Sequence, residues 1–443
     1  MTTRIFCLTC LCLLALSFSA APAPEVAASL EVSPVWSGHP VGFALLTAPP
    51  LQYAAYFDAD REMTVAWRTL GDDVWQYRRL DSRVGWDSHN SIAMTRDAAG
   101  RIHLAGNMHN DPLTYFRTAK SGDPDTFERL PMTGELEDRV TYPVFHTLPD
   151  GRLMFMYRDG GSGKGNQILN VQETDTGAWS RLLDIPVVDG EGQRNAYLDA
   201  FQSGPDGMIH VCWVWRDSYL CETNHTLSYA RSPDMLRWFN ARGEPLELPI
   251  RFGSDTVVDP VAPGGGLLNG NARLSFDGVG RPVIVYMKYD EEGHSQLYAA
   301  RLEAEKWRVA QITDWTYRWE FQGGGTIPWE IGFKRPEVSE DGGLVMQWSH
   351  KHHGSERWRL DDETLRPVEK LPNKPSGIPS ALREVESDFP AMRVKFAWDS
   401  GEAEEPDRSY LLRWETLPQN RDQPREKPWP EPSMLRLYAV SER

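Results

Sequence analysis

One unit recurs along the chain, a turn of the Asp-x-x-Gly or Pro-Asp-Gly kind followed by a short apolar or alternating run. Gly and Asp tolerate the tight or positive-φ positions of such turns. The runs are rich in Val, Ile, Tyr and Trp, which is typical of strands. An earlier, degenerate copy of the unit is DADREMTVAWR. The five clear copies carry the turn glycines Gly100, Gly151, Gly207, Gly280 and Gly342.

The spacing of these units predicts an all-β protein. Other strands precede the turns, as in HNSIAMTRD and RVTYPVFHTL, so each turn closes a hairpin. Four short strands per unit are typical of propeller blades. We therefore predict a single-domain, seven-bladed β-propeller, whose last blade joins the C-terminal MLRLYAV to the N-terminal SLEVSPVW. A pair of β-sandwiches is the alternative, which the regular spacing disfavours.

The N-terminus predicts export. Arg4 precedes the apolar run IFCLTCLCLLALSF and then small residues, as in a secretory signal that is too short to span a membrane. We assign residues 1–21 to this signal and residues 22–443 to the propeller, with a loop-rich closing region at 365–432. The mature protein is expected to be secreted or periplasmic, with lipid attachment at Cys10 as a weaker alternative.

The composition narrows the partners. The net charge is −16 and no stripe of Lys and Arg is present, which argues against nucleic acid. Beyond the signal only Cys212 and Cys221 remain, so burial and not a disulfide scaffold must hold the fold. We expect a monomer without a membrane span, in which some of the 17 Trp residues stack on sugars and most fill the core.

Two histidines are placed to converge. His89 and His109 stand before the first and after the second strand of one predicted hairpin, so both imidazoles lie at the same end. Asn90 and Asn110 each follow one of these histidines. The duplicated His-Asn pair indicates a site, and we expect both asparagines to contact the substrate.

The next unit carries a tyrosine and an arginine in the same relation. Tyr142 and Arg158 fall at one end of the following hairpin, and Arg158 precedes the loop DGGSGKGN. Such a glycine-rich loop lets backbone approach a ligand closely, but it lacks the Gly-Lys-Ser/Thr ending of a phosphate-binding loop. Asn166, at the end of this loop, is a further candidate for substrate binding.

These residues together resemble a known family. The pattern His89-Asn, His109-Asn, Tyr142-Pro-x-Phe and Tyr157-Arg158-x-Gly-x-Ser-Gly is similar to that of the BNR-repeat-containing propeller lyases. That group includes ulvan lyases and the related lyases and rhamnosidases that act at L-rhamnose-α-1,4-glucuronate. The resemblance implies a seven-bladed propeller in which His89, His109, Tyr142 and Arg158 carry β-elimination at a uronate.

The implied chemistry explains the residue types. Elimination removes the proton from C5, beside the uronate carboxylate, and expels the oxygen on C4. Arg158 and His109 would neutralise the carboxylate where negative charge develops. His89 and Tyr142 would serve as base and acid, in an order that the sequence leaves open. No cofactor is required for this chemistry, and a structural zinc or calcium ion remains open.

A second histidine supports an alternative. His39, in VWSGHPVGFALLT, resembles the histidine to which hydrolysis is assigned on the opposite face of the propeller rhamnosidases. The chain would then be an α-L-rhamnosidase acting on Rha-GlcA ends. A third possibility, from another class, is a non-catalytic glycan-binding propeller.

The remaining candidates are placed by pattern. The segment HVCWVWRDSYLCETNH offers two thiols and two imidazoles, which zinc prefers, although its spacing fits no standard zinc signature. A disulfide between the two cysteines, or two unpaired buried thiols, are the alternatives. These metal candidates are His210, Cys212, Cys221 and His225. Further residues expected to line a substrate groove are Lys288, Trp319, Asn269, Asn271, Tyr289 and Gln296.

We expect an acidic polysaccharide or oligosaccharide as substrate. Its identity stays open between ulvan, arabinogalactan ends and another uronate polymer, as does endo against exo cleavage. The acidic net charge argues against broad electrostatic capture of polyanions and favours attack at Rha-GlcA ends.

Overall fold

A computed structural model describes residues 24–253, 255–374, 377–401 and 408–441. The expected signal peptide, residues 1–21, lies outside the described residues. Within these ranges the helices are three 3₁₀ turns, at Pro124–Thr126, Cys221–Thr223 and Ser380–Arg383. None of them is long and apolar enough to cross a membrane.

The strands form an all-β propeller in which every recorded strand pair is antiparallel. Its first described strand is β1 (Glu25–Val35), which belongs to the last sheet. Sheet 1 contains β2 (Ala44–Ala48), β3 (Leu51–Phe57), β4 (Glu62–Thr69) and β5 (Gln76–Arg83). Sheet 2 contains β6 (Ile92–Arg96), β7 (Ile102–Gly106), β9 (Tyr115–Thr118) and β10 (Phe127–Arg129).

The middle of the chain supplies two larger sheets. Sheet 3 contains β8 (His109–Asp111), β11 (Val140–Thr147), β12 (Leu153–Asp159), β13 (Asn166–Gln172) and β14 (Trp179–Arg181). Sheet 4 contains β15 (Asn195–Leu198), β16 (Gln202–Ser203), β17 (Ile209–Arg216), β18 (Asn224–Ser232), β19 (Trp238–Phe239), β20 (Pro245–Leu246) and β21 (Val257–Asp259).

Three sheets complete the series. Sheet 5 contains β22 (Ala272–Phe276), β23 (Pro282–Tyr289), β24 (Ser295–Glu303) and β25 (Lys306–Gln311). Sheet 6 contains β26 (Ile331–Phe333), β27 (Glu337–Val338), β28 (Leu344–His350), β29 (Gly354–Leu360) and β30 (Pro367–Leu371). Sheet 7 contains β31 (Arg393–Trp398), β32 (Arg408–Thr416), β33 (Ser433–Ser441) and β1.

The two ends of the chain meet in sheet 7. β1 pairs antiparallel with β33, with Leu30 opposite Leu437, so N-terminal and C-terminal segments share one sheet. This pairing confirms the expected union of SLEVSPVW with MLRLYAV. The loop-rich stretch before β33 contains the pair β31 and β32 and the turn at Ser380–Arg383.

The repeated turns have one geometry. All five turn glycines have φ between 76° and 87°. Each lies in the turn that leads into the second main strand of its sheet, which is β7, β12, β17, β23 or β28. The degenerate copy differs, because it joins β3 to β4, the second and third strands of sheet 1. There Arg61 takes the positive φ, 72°, and the turn lies at the opposite end of the sheets from the other five. The degenerate copy is therefore also a turn followed by a strand, but it occupies a different place in its sheet from the other five.

The core lies between neighbouring sheets. β12 and β17 are buried along their whole length, because sheets pack against both of their faces. Met156 and Leu169 of sheet 3 pack in one cluster with Val211 and Trp213 of sheet 4. With the sheets fixed in this way, the loops before first strands and after second strands meet at one end of the ring.

Candidate active site

A cavity of about 640 Å³ opens at this end of the ring. Its walls come from loops and strand ends of all seven sheets, so the ring as a whole shapes it. The lining residues used below are Ser88, His89, His109, Tyr142, Tyr197, Arg216, Tyr219, Asn269, Thr326, Trp329 and Lys395. Such a concave site with a few convergent polar groups is the usual form of a small-molecule site.

Two histidines share one carboxylate in this cavity. Asp87 Oδ1 lies 2.7 Å from His89 Nδ1, and Asp87 Oδ2 lies 2.5 Å from His109 Nδ1. The two imidazole rings are 4.2 Å apart between centroids and tilted by 31°. The predicted convergence of His89 and His109 is therefore observed, and Asp87 is the group that sequence reasoning missed. The signal was available, because Asp87 stands two residues before His89 in DSHN.

The carboxylate fixes the chemistry of both rings. Burial alone would raise the pKa of Asp87, but hydrogen bonds from His109 and His89 outweigh it and hold the pKa well below its usual range. An ionised carboxylate only accepts hydrogen bonds, so both Nδ1 atoms carry the proton. The Nε2 atoms are then left for a ligand. The same three side chains have ligand atoms within 4.8 Å of one another and could hold a divalent cation.

A second carboxylate stands behind His89. Asp422 Oδ2 lies 3.5 Å from His89 Nδ1, and Asp422 accepts hydrogen bonds from Ser88 and Thr326. Asp422 comes from the loop between β32 and β33, within the loop-rich closing region. Through Asp422 this loop connects the segment before β6, which carries Ser88 and His89, to the segment before β26, which carries Thr326.

Tyr142 is aimed at the histidines by a β-bulge. Thr141 pairs with Arg158 and Val144 pairs with Met156, so two residues on β11 oppose one on β12. Tyr142 occupies the bulge with φ of 56°. A bulge of this kind re-aims a side chain and is common next to active sites. The Tyr142 ring lies 6.0 Å from that of His89 and 6.1 Å from that of His109.

Arg158 lies behind this tyrosine and does not line the cavity. Its side chain is buried, at 1% exposure, and Nη1 and Nη2 donate to Tyr197 Oη and Thr141 Oγ1 at 3.2 and 3.1 Å. Nε donates to the carbonyl of Gly160 at 2.8 Å. The guanidinium carbon is 5.0 Å from the Tyr142 ring centre. The expected direct contact between Arg158 and a substrate carboxylate is therefore wrong, because the guanidinium is enclosed and bonded to protein.

The pKa values of Tyr142 and Tyr197 are shifted in opposite directions. Burial raises the pKa of Tyr142 to about 12, and the neighbouring Tyr197 adds to the effect. Burial also acts to raise the pKa of Tyr197, but Arg158 and Arg216 outweigh it and lower that pKa. Tyr142 therefore keeps its phenolic proton at neutral pH.

Tyr197 and Arg216 were missed by the sequence reasoning. They occupy in sheet 4 the places that Tyr142 and Arg158 occupy in sheet 3, at the start of the first strand and the end of the long buried strand. The signal is an internal repeat, since DRVTYPVF and MFMYRD correspond to QRNAYLDAF and VCWVWRD.

Arg216 differs from Arg158 in reaching the cavity. It donates from Nη1 to Asn269 Oδ1 at 3.1 Å and from Nη2 to the Tyr219 carbonyl. Its Nε has no partner among the described residues. The expected position of Asn269 at the groove is observed, whereas Asn271, Tyr289 and Gln296 do not line the cavity.

The aromatic wall is formed by residues other than the expected one. Trp319 is buried in the core at 2% exposure. Its neighbour Trp329, 5.5 Å away between ring centroids, lines the cavity and is 49% exposed. Tyr219, also at the rim, is 65% exposed. The prediction that Trp319 stacks on a sugar is therefore wrong, because that indole fills the space between sheets.

The expected asparagines and lysine lie outside the cavity lining. Asn90 is buried, and Asn110 hydrogen-bonds through its backbone N–H to Thr141 Oγ1 at 2.7 Å. Asn166 Oδ1 accepts a hydrogen bond from the Gly190 backbone. Lys288 pairs with Asp259 at 2.7 Å.

His39 lies near the histidine pair but is enclosed. It sits in the loop between β1 and β2, is 2% exposed and accepts a hydrogen bond from Trp36 Nε1 at 2.9 Å. Its ring packs 5.6 Å from Trp86, next to Asp87. Burial lowers the pKa of His39 to about 4. The expectation that it acts on the opposite face is wrong, because the loop brings it to the same end as His89.

The four zinc candidates are not brought together. His210 pairs in register with Arg231, whereas His225 pairs with Trp215, about 16 Å further along the hairpin at roughly 3.3 Å per residue. Nε2 of His210 lies 2.9 Å from an oxygen of Asp206, and Nε2 of His225 lies 3.0 Å from one of Asp217. Cys212 and Cys221 are buried free thiols in separate core clusters.

Comparison with curated proteins finds ulvan lyases. The chain is 30% identical over 150 residues to the long isoform of ulvan lyase from Alteromonas sp. (strain LOR), covering 31% of this chain and 15% of that protein. It is 29% identical over 140 residues to the short isoform from the same strain, covering 28% and 26%. The matched segments are thus a small part of these relatives.

Comparison with solved structures shows the fold. The polysaccharide lyase Uly1 superposes with a TM-score of 0.60 at 13% identity, over 95% of this chain and 100% of that one. An ulvan lyase of family PL25 bound to -[GlcA(1-4)Rha3S]- superposes with a TM-score of 0.59 at 13% identity, over 93% and 95%.

A family match covers more than half of the sequence. Residues 51–315, from β3 of sheet 1 to just beyond β25 of sheet 5, match the family described as BNR repeat-containing family member. The matched residues include Asp87 with its two histidines and the pairs Tyr142/Arg158 and Tyr197/Arg216. The chain belongs to the BNR repeat-containing family.

Proposed function

We propose that this protein is a polysaccharide lyase that cleaves a rhamnose–uronate linkage by β-elimination. One observation carries the proposal: the histidines joined by Asp87 face Tyr142 in the same cavity that Arg216 lines. A base, an acid and a cation are the three groups that elimination beside a carboxylate requires. The ulvan lyases among the relatives support the same reaction class.

His89 is the proposed base. Its Nδ1 proton is held by Asp87, which leaves the lone pair of Nε2 free to take the proton from C5 of the uronate. Taking that proton makes an imidazolium. Asp87 and Asp422 both lie beside Nδ1 and stabilise the new positive charge.

Tyr142 is the proposed acid. Its pKa of about 12 keeps the phenol protonated at neutral pH. As the C4–O bond breaks, the phenol donates its proton to the departing oxygen, and a C4–C5 double bond remains in the product. Arg158, 5.0 Å from the ring, then stabilises the phenolate until solvent returns the proton.

Arg216 and His109 are the proposed partners of the uronate carboxylate. Arg216 lines the cavity, and its guanidinium donates to two neutral groups, Asn269 Oδ1 and the Tyr219 carbonyl, so among the described residues no acidic side chain neutralises its charge. His109 lies against Asp87 at 2.5 Å, so as an imidazolium it can present Nε2–H to the same carboxylate. Two donors on the carboxylate neutralise it as negative charge moves there from C5, which is usually the largest catalytic effect.

The substrate class follows from the walls of the cavity. Trp329 and Tyr219 are exposed aromatic rings at the rim, suited to stacking on sugar rings. Lys395 adds a further basic group among the lining residues. Ulvan and Rha-GlcA ends of arabinogalactan both offer the required uronate. The solved ulvan lyase bound to -[GlcA(1-4)Rha3S]- supports the first of these.

Two further points belong to the same proposal. Each of the seven sheets is taken as one blade of a single ring, with sheet 7 closing it through β1 and β33. Residues 1–21 are taken as the signal that exports the protein to where such polysaccharides occur.

The test separates elimination from hydrolysis. The protein is incubated with ulvan and with gum arabic, and ultraviolet absorbance is followed beside release of free rhamnose. A lyase produces the absorbing unsaturated uronate, whereas a rhamnosidase releases rhamnose without it. Retention of the absorbance rise in both His89→Ala and Tyr142→Phe would overturn the proposed mechanism.

A further inference from the structure

A second pocket lies between sheets 5 and 6, and none of its lining residues also lines the central cavity. Its volume is about 320 Å³. Small-molecule pockets span about 300–1,000 Å³, so its size suits one sugar ring and not a chain segment. The residues that define it, here named the Trp pocket, are Trp315, Trp348, Trp358, Asp314, Glu356 and Arg366.

Three indole rings form the walls. Trp348 and Trp358 are parallel, with 6° between their planes and 6.4 Å between centroids. Trp315 meets Trp348 edge to face at 6.4 Å. Trp315 and Trp358 are only half-buried, so indole surface is open to a ligand. The C–H face of a pyranose packs well on such surfaces, because both are apolar and flat.

Polar groups at the mouth suit hydroxyls. Arg366 is exposed, and no hydrogen bond or ion pair of its guanidinium is recorded among the described residues. Glu356 is held by Lys370 at 2.6 Å and by Trp358 Nε1 at 3.1 Å, which orients its carboxylate. An oriented carboxylate accepts from hydroxyls and a guanidinium donates to them, and a sugar needs both.

The charges favour a neutral ligand. The carboxylate of Asp314 accepts a hydrogen bond from Gln311 Nε2 at 3.4 Å and forms no ion pair among the described residues. Glu356 is already balanced by Lys370. A uronate or sulfate bound here would approach the unpaired Asp314. Lys370, over the Trp358 ring, is engaged with Glu356, so Arg366 is the lining cation left to offset the repulsion.

We propose that the Trp pocket binds one neutral hexopyranose unit of a polysaccharide, apart from the reaction centre. It would hold a neutral sugar of the polymer while the uronate occupies the central cavity. Engagement at two sites raises the effective concentration of polymer at the second one. A short fragment that cannot reach both sites gains nothing from the pocket. Binding of a neutral glycoside to the pocket does not depend on the reaction in the cavity, whereas the gain from two-site engagement rests on the proposed function.

Binding is tested by saturation-transfer NMR on the full chain. The probes are methyl β-D-galactoside, methyl β-D-glucoside and methyl α-L-rhamnoside, with methyl β-D-glucuronide as the anionic comparison. At least one neutral glycoside should bind, and Arg366→Ala should weaken it at least about tenfold, as expected for one hydrogen bond to a charged group. Trp358→Ala should weaken it as well, and the matched control Arg393→Ala, an exposed arginine on β31, should not.

Each alternative result has a meaning. Absence of binding by every neutral glycoside would overturn the proposal. Glucuronide binding that Arg366→Ala or Trp358→Ala weakens more than neutral-glycoside binding would overturn it as well, because a uronate held in the central cavity does not contact these residues. Equal binding by wild type, Arg366→Ala and Trp358→Ala would overturn it too, because the signal would come from elsewhere. Arg366 is exposed and forms no ion pair with the part of the chain that the structure describes, so its variant tests the site even if Trp358→Ala fails to fold.

Discussion

Asp87 Oδ2 and His109 Nδ1 are 2.5 Å apart, while the other oxygen of the same carboxylate holds His89. One side chain therefore sets the orientation and the tautomer of both imidazoles in the cavity. The low pKa of Asp87 follows from these two bonds working against burial. The arrangement makes Asp87 a positioning residue that acts through the histidines.

Asp87→Asn should lower kcat by about 10²–10⁴-fold, because an amide can donate to one Nδ1 and so favour the wrong tautomer. The measurement is the rate of ultraviolet absorbance rise on ulvan. The pH profile should shift with it, which a loss of stability alone would not cause. Asp206→Asn, which alters the Asp–His contact at His210, is the matched control and should keep kcat. An unchanged pH profile in Asp87→Asn would contradict the assignment.

Tyr142→Phe should abolish most of the elimination and leave the fold intact. The ring and its contacts with Arg158 remain, and only the hydroxyl that donates the proton is lost. We expect kcat to fall by about 10²–10⁴-fold with little change in thermal unfolding. Tyr115→Phe, a buried tyrosine bonded to His103, serves as comparison for removal of a hydroxyl. Wild-type turnover in Tyr142→Phe would exclude this residue as the acid.

Arg216→Gln should slow the reaction on uronate substrates. The glutamine keeps a polar contact toward Asn269 but removes the cation from the cavity wall. We expect kcat/KM to fall by about 10²–10³-fold, the effect of removing one donor from developing negative charge. Arg231→Gln, at the far end of the same hairpin, is the control. Equal kinetics in both variants would place carboxylate recognition on another group.

Arg158→Met should lower stability and also slow the elimination, because the proposed Tyr142 phenolate loses its neighbouring cation. The substitution removes three buried hydrogen bonds, to Tyr197 Oη, Thr141 Oγ1 and the Gly160 carbonyl. The two hydroxyls keep hydrogen bonds to Ser162 and Asn110, whereas the Gly160 carbonyl loses its side-chain donor. An unsatisfied buried group costs about 1–3 kcal/mol, so the free energy of unfolding should fall by about that amount in urea titrations. A fully stable variant would show that the enclosed guanidinium contributes little to the fold.

The sequence predicted which residues lie at the cavity end of the ring better than it predicted which side chains line the cavity. Hairpin ends and unit spacing place His89, His109 and Tyr142 at one end of the ring, because strand lengths alone decide which end a residue reaches. The same spacing could not show that Arg158 is enclosed by protein while Arg216 lines the cavity. That difference depends on the bulge at Tyr142 and on packing between sheets 3 and 4.

Long-range contacts were also beyond the reach of local pattern. Asp422 lies 333 residues from His89 in the chain, and only the closing of the ring brings its loop to Ser88 and Thr326. Trp319 and Trp329 illustrate the same limit. Both are tryptophans in a loop before β26, and only the packing of sheets decides which indole is buried and which one faces the cavity.

The lowered pKa of His39 makes the free energy of unfolding depend on pH in acid. Its pKa falls from 6.5 to about 4 because burial disfavours the imidazolium in the folded state. Above pH 6.5 His39 is neutral in the folded and the unfolded state, so its ionisation does not change the free energy of unfolding. As pH drops from about 6.5 to 4 the unfolded state binds the extra proton, so stability is lost by up to about 3 kcal/mol.

His39→Gln should therefore flatten the fall of Tm between about pH 6.5 and 4, since glutamine does not titrate there. The amide can still accept the hydrogen bond from Trp36 Nε1, which limits the loss of packing. Thermal unfolding of both proteins across this range makes the comparison. The variant should also keep producing the unsaturated uronate, because His39 is enclosed and does not line the cavity. Parallel Tm curves would refute the linkage, and complete loss of elimination would return His39 to the reaction.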